Sequence, residues 1–316
     1  MRILFCGDTF PDGPEYLRQR LPVDAHDELI VCPAPDICRM LDGVDVVIPK
    51  MQRVGRHEME LGTFRLVQQW GAGLEGVDIE AAREKGVHVA NVPATGGNAE
   101  SVAEHALLLI LALLRDLPKA QANVRTGVLG APIGKMLMGR TVCIYGLGAI
   151  ALPLAKRLQT FGVRLIGITH DPSSPKVADF GLDRCFAISN RDQAFTETDI
   201  LVLSMRYSEE MRGTIGAHEL GSLRSGAYLI NIARGGLLDN HALYDALRRG
   251  QLAGAGLDVF WQEPLPVDDP ILTLPNVIAT PHIAGVTEES FIDIADAVAA
   301  NIERLRRGQS LLNQVV

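Results

Sequence analysis

The sequence predicts an α/β protein built from two parallel-sheet domains with a cleft between them. Three observations predict it. Short β-like runs alternate with helical patterns through the first ninety residues, a second such series opens at residue 141, and a stretch marked by proline and glycine separates the two.

In the first series "RILFC", "ELIVC", "VDVVIP", "FRLVQQW" and "VHVANVP" read as strands, and "PEYLRQRL", "DICRMLDG" and "DIEAAREKG" as the helical segments between them. The break is "VPATGGN", where Pro93, Gly96 and Gly97 interrupt the pattern and Asn98 is expected to cap the helix that follows, which makes this segment the expected hinge. The second series runs "TVCIYG", "VRLIGIT", "DILVLS", "GAYLINI", "GAGLDVF" and "NVIATP". The last segment, "EESFIDIADAVAANIERLRRG", sets Ile294, Val298, Ile302 and Leu305 on one face, with acids at its start and arginines before Gly308. It reads as an amphipathic helix.

The 316 residues suffice for two domains with their own cores. A net charge of -8 provides no general field for nucleic acid or an anionic membrane, and neither is expected as a partner. Cys6, Cys32, Cys38, Cys143 and Cys185 show no CxxC pair, which predicts no metal site and suits a reducing compartment. The start "MRILFCGDTF" is a short apolar run and a turn rather than a signal peptide, so a cytoplasmic location is expected. The longest apolar stretch, Ala106 to Leu114, falls short of the roughly 20 residues that span a bilayer and reads as a buried helix.

"TVCIYGLGAIA" places Gly146, Gly148 and Ala151 in a G-x-G-x-x-A turn between a strand and a helix. The first glycine permits the tight turn, the second lets a pyrophosphate approach the backbone at Leu147, Ala149 and Ile150, and the small third residue lets helix and strand pack. Strand, turn, helix and next strand in that order predict a Rossmann-like dinucleotide site.

Three further stretches follow strand-like runs: "NIARGGLLD" with Arg234, "GLDVFWQEPLP" with Asp258 and Glu263, and "TPHIAG" with His282. Sites in such sheets gather at the carboxyl ends of strands, so these side chains are expected to converge. An Arg can hold a 2-oxo acid and polarise its carbonyl, a His can exchange the proton of the alcohol oxygen, and a Glu bonded to that His can orient the ring. Together they describe a carbonyl-reduction site.

On "GLGAIA", "NIARGGLLD", "GLDVFWQEP" and "TPHIAG" the chain resembles the D-isomer-specific 2-hydroxyacid dehydrogenase family, over nearly its whole length. The gaps of 29 residues from Arg234 to Glu263 and 19 from Glu263 to His282 are similar to that family's. The resemblance implies Rossmann-like and flavodoxin-like parallel-sheet domains, a substrate domain of residues 1–97 with 288–316, and a dinucleotide domain of residues 98–287. It implies that NAD or NADP exchanges a hydride with a small 2-oxo or D-2-hydroxy acid, with Arg234 binding substrate, Glu263 supporting His282, and His282 as general acid and base. From "WGAGLEGVD" it implies that Ala72, Gly73 and Leu74 receive the substrate carboxylate, and from "NAESVAEH" that Val102 lies near the nicotinamide. It implies that Asp258 accepts from the carboxamide, that Ala233 and Arg234 flank the ring, and that two chains pair through the nucleotide domain. Domain closure would exclude water from the reaction.

The resemblance extends to NAD(H)-sensing corepressors, and to scaffolds that oxidise another hydride donor, so a binding protein and a different redox enzyme stand as rival readings. Consumption of reduced cofactor with 2-oxo acids separates them. Two departures from the family bear on the cofactor. Where an acid usually meets the ribose, the strand ends in Thr169 and His170, with Asp171 beside them as an alternative partner for the diol. Where a proline is common after "DILVLS", the chain has Arg206 and Tyr207. His105, His26, His57, His88, His218 and His241 read as packed, capping or surface residues, and Trp261 as a pocket wall. Lys50, Gln52 and Arg53 in "PKMQRVGR" face a ligand or form a solvated loop.

Overall fold

A computed structural model describes residues 1–316, the side chains of Ala34 and Pro35 excepted. The chain divides into two compact units, Met1–Asn98 with Val286–Val316, and Ala99–Gly285.

The first unit holds a five-stranded sheet of β1 (Arg2–Cys6), β2 (Glu28–Cys32), β3 (Val46–Ile48), β4 (Leu66–Gln68) and β5 (His88–Ala90). The order is β2-β1-β3-β4-β5 and every pair is parallel, the flavodoxin-like arrangement. Inner strands covered on both faces need apolar side chains at every position, which explains runs such as "RILFC". Ile3, Phe5, Ile48 and Leu66 face Ile294, Val298, Ile302 and Leu305 of the helix Glu288–Arg306. Leu4, Val47, Val67 and Val89 face the opposite layer with Met59, Ala81 and Ala82. The closing helix is tied to the chain start through Asp27, which takes both the terminal ammonium at 2.8 Å and Arg306 at 2.5 Å. The segment "DICRMLDG" lies in and after a 3-10 turn, Ala34–Arg39, in place of the expected helical segment.

The second unit holds β6 (Thr141–Tyr145), β7 (Arg164–Thr169), β8 (Arg184–Ala187), β9 (Ile200–Leu203), β10 (Ala227–Asn231), β11 (Leu252–Leu257) and β12 (Val277–Ala279). Their order is β12-β11-β10-β9-β6-β7-β8, again wholly parallel. Counted from β6 this is the Rossmann order with one strand added at the β11 edge, and the direction of winding reverses beside β6, where a crevice opens at the carboxyl ends. The predicted pair of parallel-sheet α/β domains is therefore what the chain forms.

The helix Gly97–Leu114 is long and apolar enough by length and composition to cross a membrane. Within its unit it is a packing helix: Val102, Ala106, Leu109 and Ile110 are buried, while Glu100 and Glu104 on its outer side pair with Arg157. Asn98 does not cap it. The helix starts at Gly97, two residues earlier than that cap implies, and Asp293 accepts from the Gly97 N–H at 2.8 Å, leaving the Asn98 amide to donate to Ser290 Oγ at 3.0 Å. A carboxylate supplied from elsewhere in the fold satisfies the orphan donor more strongly than a neutral local amide, and no local pattern announces it.

Candidate active site

Three loops at the carboxyl ends of β10, β11 and β12 carry Arg234, Glu263 and His282. His282 Nδ1 lies 2.6 Å from Glu263 Oε2, and Glu263 Oε1 accepts from the Phe260 N–H at 2.8 Å. Burial works against the charge on Glu263. The hydrogen bond and charge of His282, the Phe260 N–H and the charge of Arg234 outweigh it and hold the carboxyl below its ordinary range. Glu263 is thus a carboxylate at neutral pH, and it fixes the His282 tautomer with Nδ1 as donor.

His282 occupies the left-handed region at φ 56°, a conformation that costs a non-glycine residue about 1–2 kcal/mol. Asp258 holds it there. Its carbonyl accepts the His282 N–H at 2.8 Å, and its carboxylate accepts from Thr280 Oγ1 at 2.6 Å and from the N–H groups of Ile283 and Ala284, each at 2.9 Å. Asp258 is fully buried, so these bonds form in a medium that strengthens them. Thr280 gives its only proton to Asp258 and so accepts from His105 Nε2, 2.9 Å away, which lies 3.5 Å from the Asp258 carboxylate. Burial lowers the His105 pKa and outweighs the opposing pull of Asp258, leaving a neutral ring. His105 and Thr280 are the supporting residues that sequence reasoning missed. The 175 positions between them hid the contact, and an apolar helix bearing one histidine was the only signal.

Arg234 is placed by Asn231 at the end of β10. The fully buried Asn231 amide donates to the Arg234 carbonyl at 2.9 Å and accepts from the Ala233 N–H at 3.1 Å, and its own carbonyl accepts the Asp258 N–H at 3.1 Å. The guanidinium donates to the Ala233 carbonyl at 2.8 Å. Gly235 follows because a side chain there would enter the backbone of Phe260 and Trp261. The "ARGG" and "DVFWQEP" loops therefore touch, which sets Arg234 close enough for its charge to act on Glu263. Trp261 packs edge-on to Phe260 and donates to Asp269 at 3.2 Å, as befits a wall.

The glycine turn follows β6. Gly146 has φ 100°, and an added Cβ would lie 2.5 Å from the backbone of Met205. At Gly148 the same atom meets nothing within 4 Å. Ala151 is fully buried, and the N-cap Ile150 gives the helix Ala151–Gln159 no side-chain acceptor. An open backbone beside the N-terminus of a nine-residue helix fits a pyrophosphate. Val102 and Ile232, next to Ala233, share one buried cluster with Ala284 of the His282 loop. At the end of β7, Thr169 is half-buried and His170 exposed. Asp171 does not face a diol: its carboxylate turns onto the N–H and hydroxyl of Ser173, at 3.0 and 2.5 Å. Arg206 is exposed, with no ion-pair partner among the described residues.

In the first unit the loop after β4 has its own logic. Gly71, Ala72 and Gly73 aim their carbonyls at Val92 N–H, the Asn91 amide and the Gln69 amide, at 2.9, 2.8 and 2.6 Å. The Ala72, Gly73 and Leu74 N–H groups have no acceptor among the described residues, an arrangement that suits an anion. Lys50 is buried rather than in a solvated loop. Its ammonium donates to the carbonyls of Gly7, at 2.7 Å, and Thr9, and burial pushes its pKa down to about 8. Gln69 also donates to the Lys50 carbonyl at 3.0 Å. Among the described residues no cluster of His, Cys, Asp or Glu is placed to hold a metal ion.

Residues 107–284 match the NAD binding domain of the D-isomer specific 2-hydroxyacid dehydrogenases, and the chain belongs to that family. It is 30% identical to a glyoxylate reductase of Pyrococcus furiosus over 99% of this chain and 96% of the relative. It is 32% identical to a D-3-phosphoglycerate dehydrogenase of Archaeoglobus fulgidus over 80% of this chain, but spans only 47% of that longer protein. Its fold superposes with a TM-score of 0.85 on the NADPH-dependent glyoxylate/hydroxypyruvate reductase of Sinorhizobium meliloti, solved with NADP and malonate. That structure is 30% identical, with 100% and 96% of the two chains covered.

Proposed function

We infer that the protein is an NAD(P)-dependent oxidoreductase interconverting a small 2-oxo acid and a D-2-hydroxy acid. The observation that carries this reading is the 2.6 Å contact between His282 and Glu263, made in the unit that bears the dinucleotide turn and acted on by the charge of Arg234. With Nδ1 committed to Glu263, proton exchange with the substrate oxygen falls to Nε2 of His282, and Glu263 stabilises the imidazolium. Arg234 binds and polarises the 2-oxo group. The Ala72, Gly73 and Leu74 amides are assigned to a substrate carboxylate. Asp258, with Thr280 and His105 behind it, positions the His282 loop, and its carboxylate is also assigned to the carboxamide. Val102, Ala233 and Arg234 would hold the nicotinamide, which would supply or take the hydride when bound. Glyoxylate and hydroxypyruvate, the substrates in the relatives' names, are the first to assay. Steady oxidation of NADH or NADPH by either supports the reading, and binding of cofactor without turnover on any small 2-oxo acid overturns it.

The cofactor is proposed to be NADP(H) in preference to NAD(H). Thr169 stands where a carboxylate would repel a 2'-phosphate, Asp171 is held away by Ser173, and His170 and Arg206 are exposed donors. Fluorescence titration with both reduced cofactors tests this, and tighter binding of NADH counts against it. A homodimer is proposed on the segment 117–138, where Val124, Leu129, Ile133, Met136 and Met138 are exposed at 65–95%. Light scattering of the purified protein decides between dimer and monomer.

A further inference from the structure

Cys6 and Cys32 end the adjacent strands β1 and β2 and are direct register partners. Both are free thiols, both are fully buried, and both side chains lie in the same core layer. Neighbouring strands run about 4.7–4.9 Å apart, inside the Cα separation of about 4.4–6.8 Å that a disulfide bridges. Cys6 Sγ donates to the Leu4 carbonyl at 3.8 Å, and the Cys32 carbonyl accepts the Gly7 N–H at 2.7 Å, which ties the two strand ends together.

The surroundings favour a thiolate on Cys32. The polar groups of Cys6 and Gly7 beside it and the positive charge of Lys50 favour the charged form. Together these outweigh burial and the charge of Asp36 and hold the thiol below its ordinary range, while the neighbouring Cys32 and burial push Cys6 up. Lys50 is locked near by by its bonds to the carbonyls of Gly7 and Thr9. No other cysteine has this company. Cys143 is buried and pushed up to about 12, and Cys38 and Cys185 are also raised.

We propose that Cys6 and Cys32 form a redox-active dithiol that a hydroperoxide closes to a reversible disulfide, Cys32 attacking and Cys6 resolving. The Cys32 thiolate attacks one peroxide oxygen, the O–O bond breaks, and Cys32 becomes a sulfenic acid while the departing oxygen leaves as water or alcohol. Cys6 then loses its proton and attacks the Cys32 sulfur, forming the S–S bond and releasing water. The two thiols supply the two electrons that reduce the peroxide. Access comes through β2, the edge strand, whose Val31 and Glu28 already face solvent, so local opening at this edge exposes the pair. This proposal does not depend on the catalytic reading.

The test treats the full chain with stoichiometric hydrogen peroxide, blocks free thiols with iodoacetamide, and maps peptides by mass spectrometry. The expected product is a crosslink of the Cys6 and Cys32 peptides, lighter by two hydrogens and split by dithiothreitol. In Cys6→Ser the resolving thiol is gone, and dimedone is expected to label Cys32. Cys38→Ser, an exposed position, keeps the crosslink readable even if Cys6→Ser does not fold. Both thiols remaining free while Cys38 oxidises, a Cys32–Cys38 link, or dimedone on Cys6 in Cys32→Ser would each overturn the proposal.

Discussion

His282 sits in a costly backbone conformation because four hydrogen bonds donated to Asp258 surround it, and Glu263 then sets its tautomer. Replacing His282 with Ala removes the proton donor and leaves these anchors in place. Turnover is expected to fall about 10²–10⁴-fold, with cofactor binding nearly unchanged, while loss of the Glu263 contact lowers the melting temperature. Steady-state kinetics beside a cofactor titration reads both, and near-normal turnover would remove His282 from the role. Glu263→Gln tests the partner through pH. Because the folded-state carboxyl is held low, its stabilisation is present above the unfolded value of about 4.3 and is lost as pH falls through the folded one. The stability gap between wild type and Glu263→Gln should therefore be full at neutral pH and close in acid. A gap that widens in acid contradicts the assignment.

The turn after β6 separates what the backbone needs from what a ligand needs. Gly146→Ala forces a Cβ against Met205 at a positive φ, and a loss of about 2 kcal/mol or more in denaturant titrations is expected. Gly148→Ala meets no atom, so stability should hold to within about 0.5 kcal/mol. Its added methyl stands where the pyrophosphate is proposed, and cofactor affinity should drop at least about tenfold. If Gly148→Ala binds cofactor as tightly as wild type, the turn is not the phosphate site.

Across the first unit the chain closes on itself through Asp27, whose side chain is 2% exposed and pairs with both the N-terminus and Arg306. Burial opposes its charge, but the hydrogen bonds and charges of Arg306 and the terminal ammonium prevail and hold the carboxyl low. Asp27→Asn leaves these cations uncompensated and is expected to cost about 3 kcal/mol at neutral pH. By the same sign as for Glu263, the deficit should fade as pH falls through the lowered value. Thermal melts from pH 7 to pH 3 show it, and a pH-independent deficit would point to packing instead.

Much of this was legible in the amino-acid order because it rests on local rules. Period and turn residues mark the strands, the spacing of Gly146, Gly148 and Ala151 marks the dinucleotide turn, and three strand-end motifs mark Arg234, Glu263 and His282. Other features depend on contacts that cross long stretches of chain. Asp293 capping Gly97, His105 meeting Thr280, Lys50 buried on Gly7 and Thr9, and Cys6 level with Cys32 join residues 26 to 196 positions apart. A hydrogen bond depends on where two atoms lie, and sequence separation carries no record of that once the chain has folded. The kinds of chemistry were therefore written in the chain, while the tautomers, the caps and the charge states came from packing.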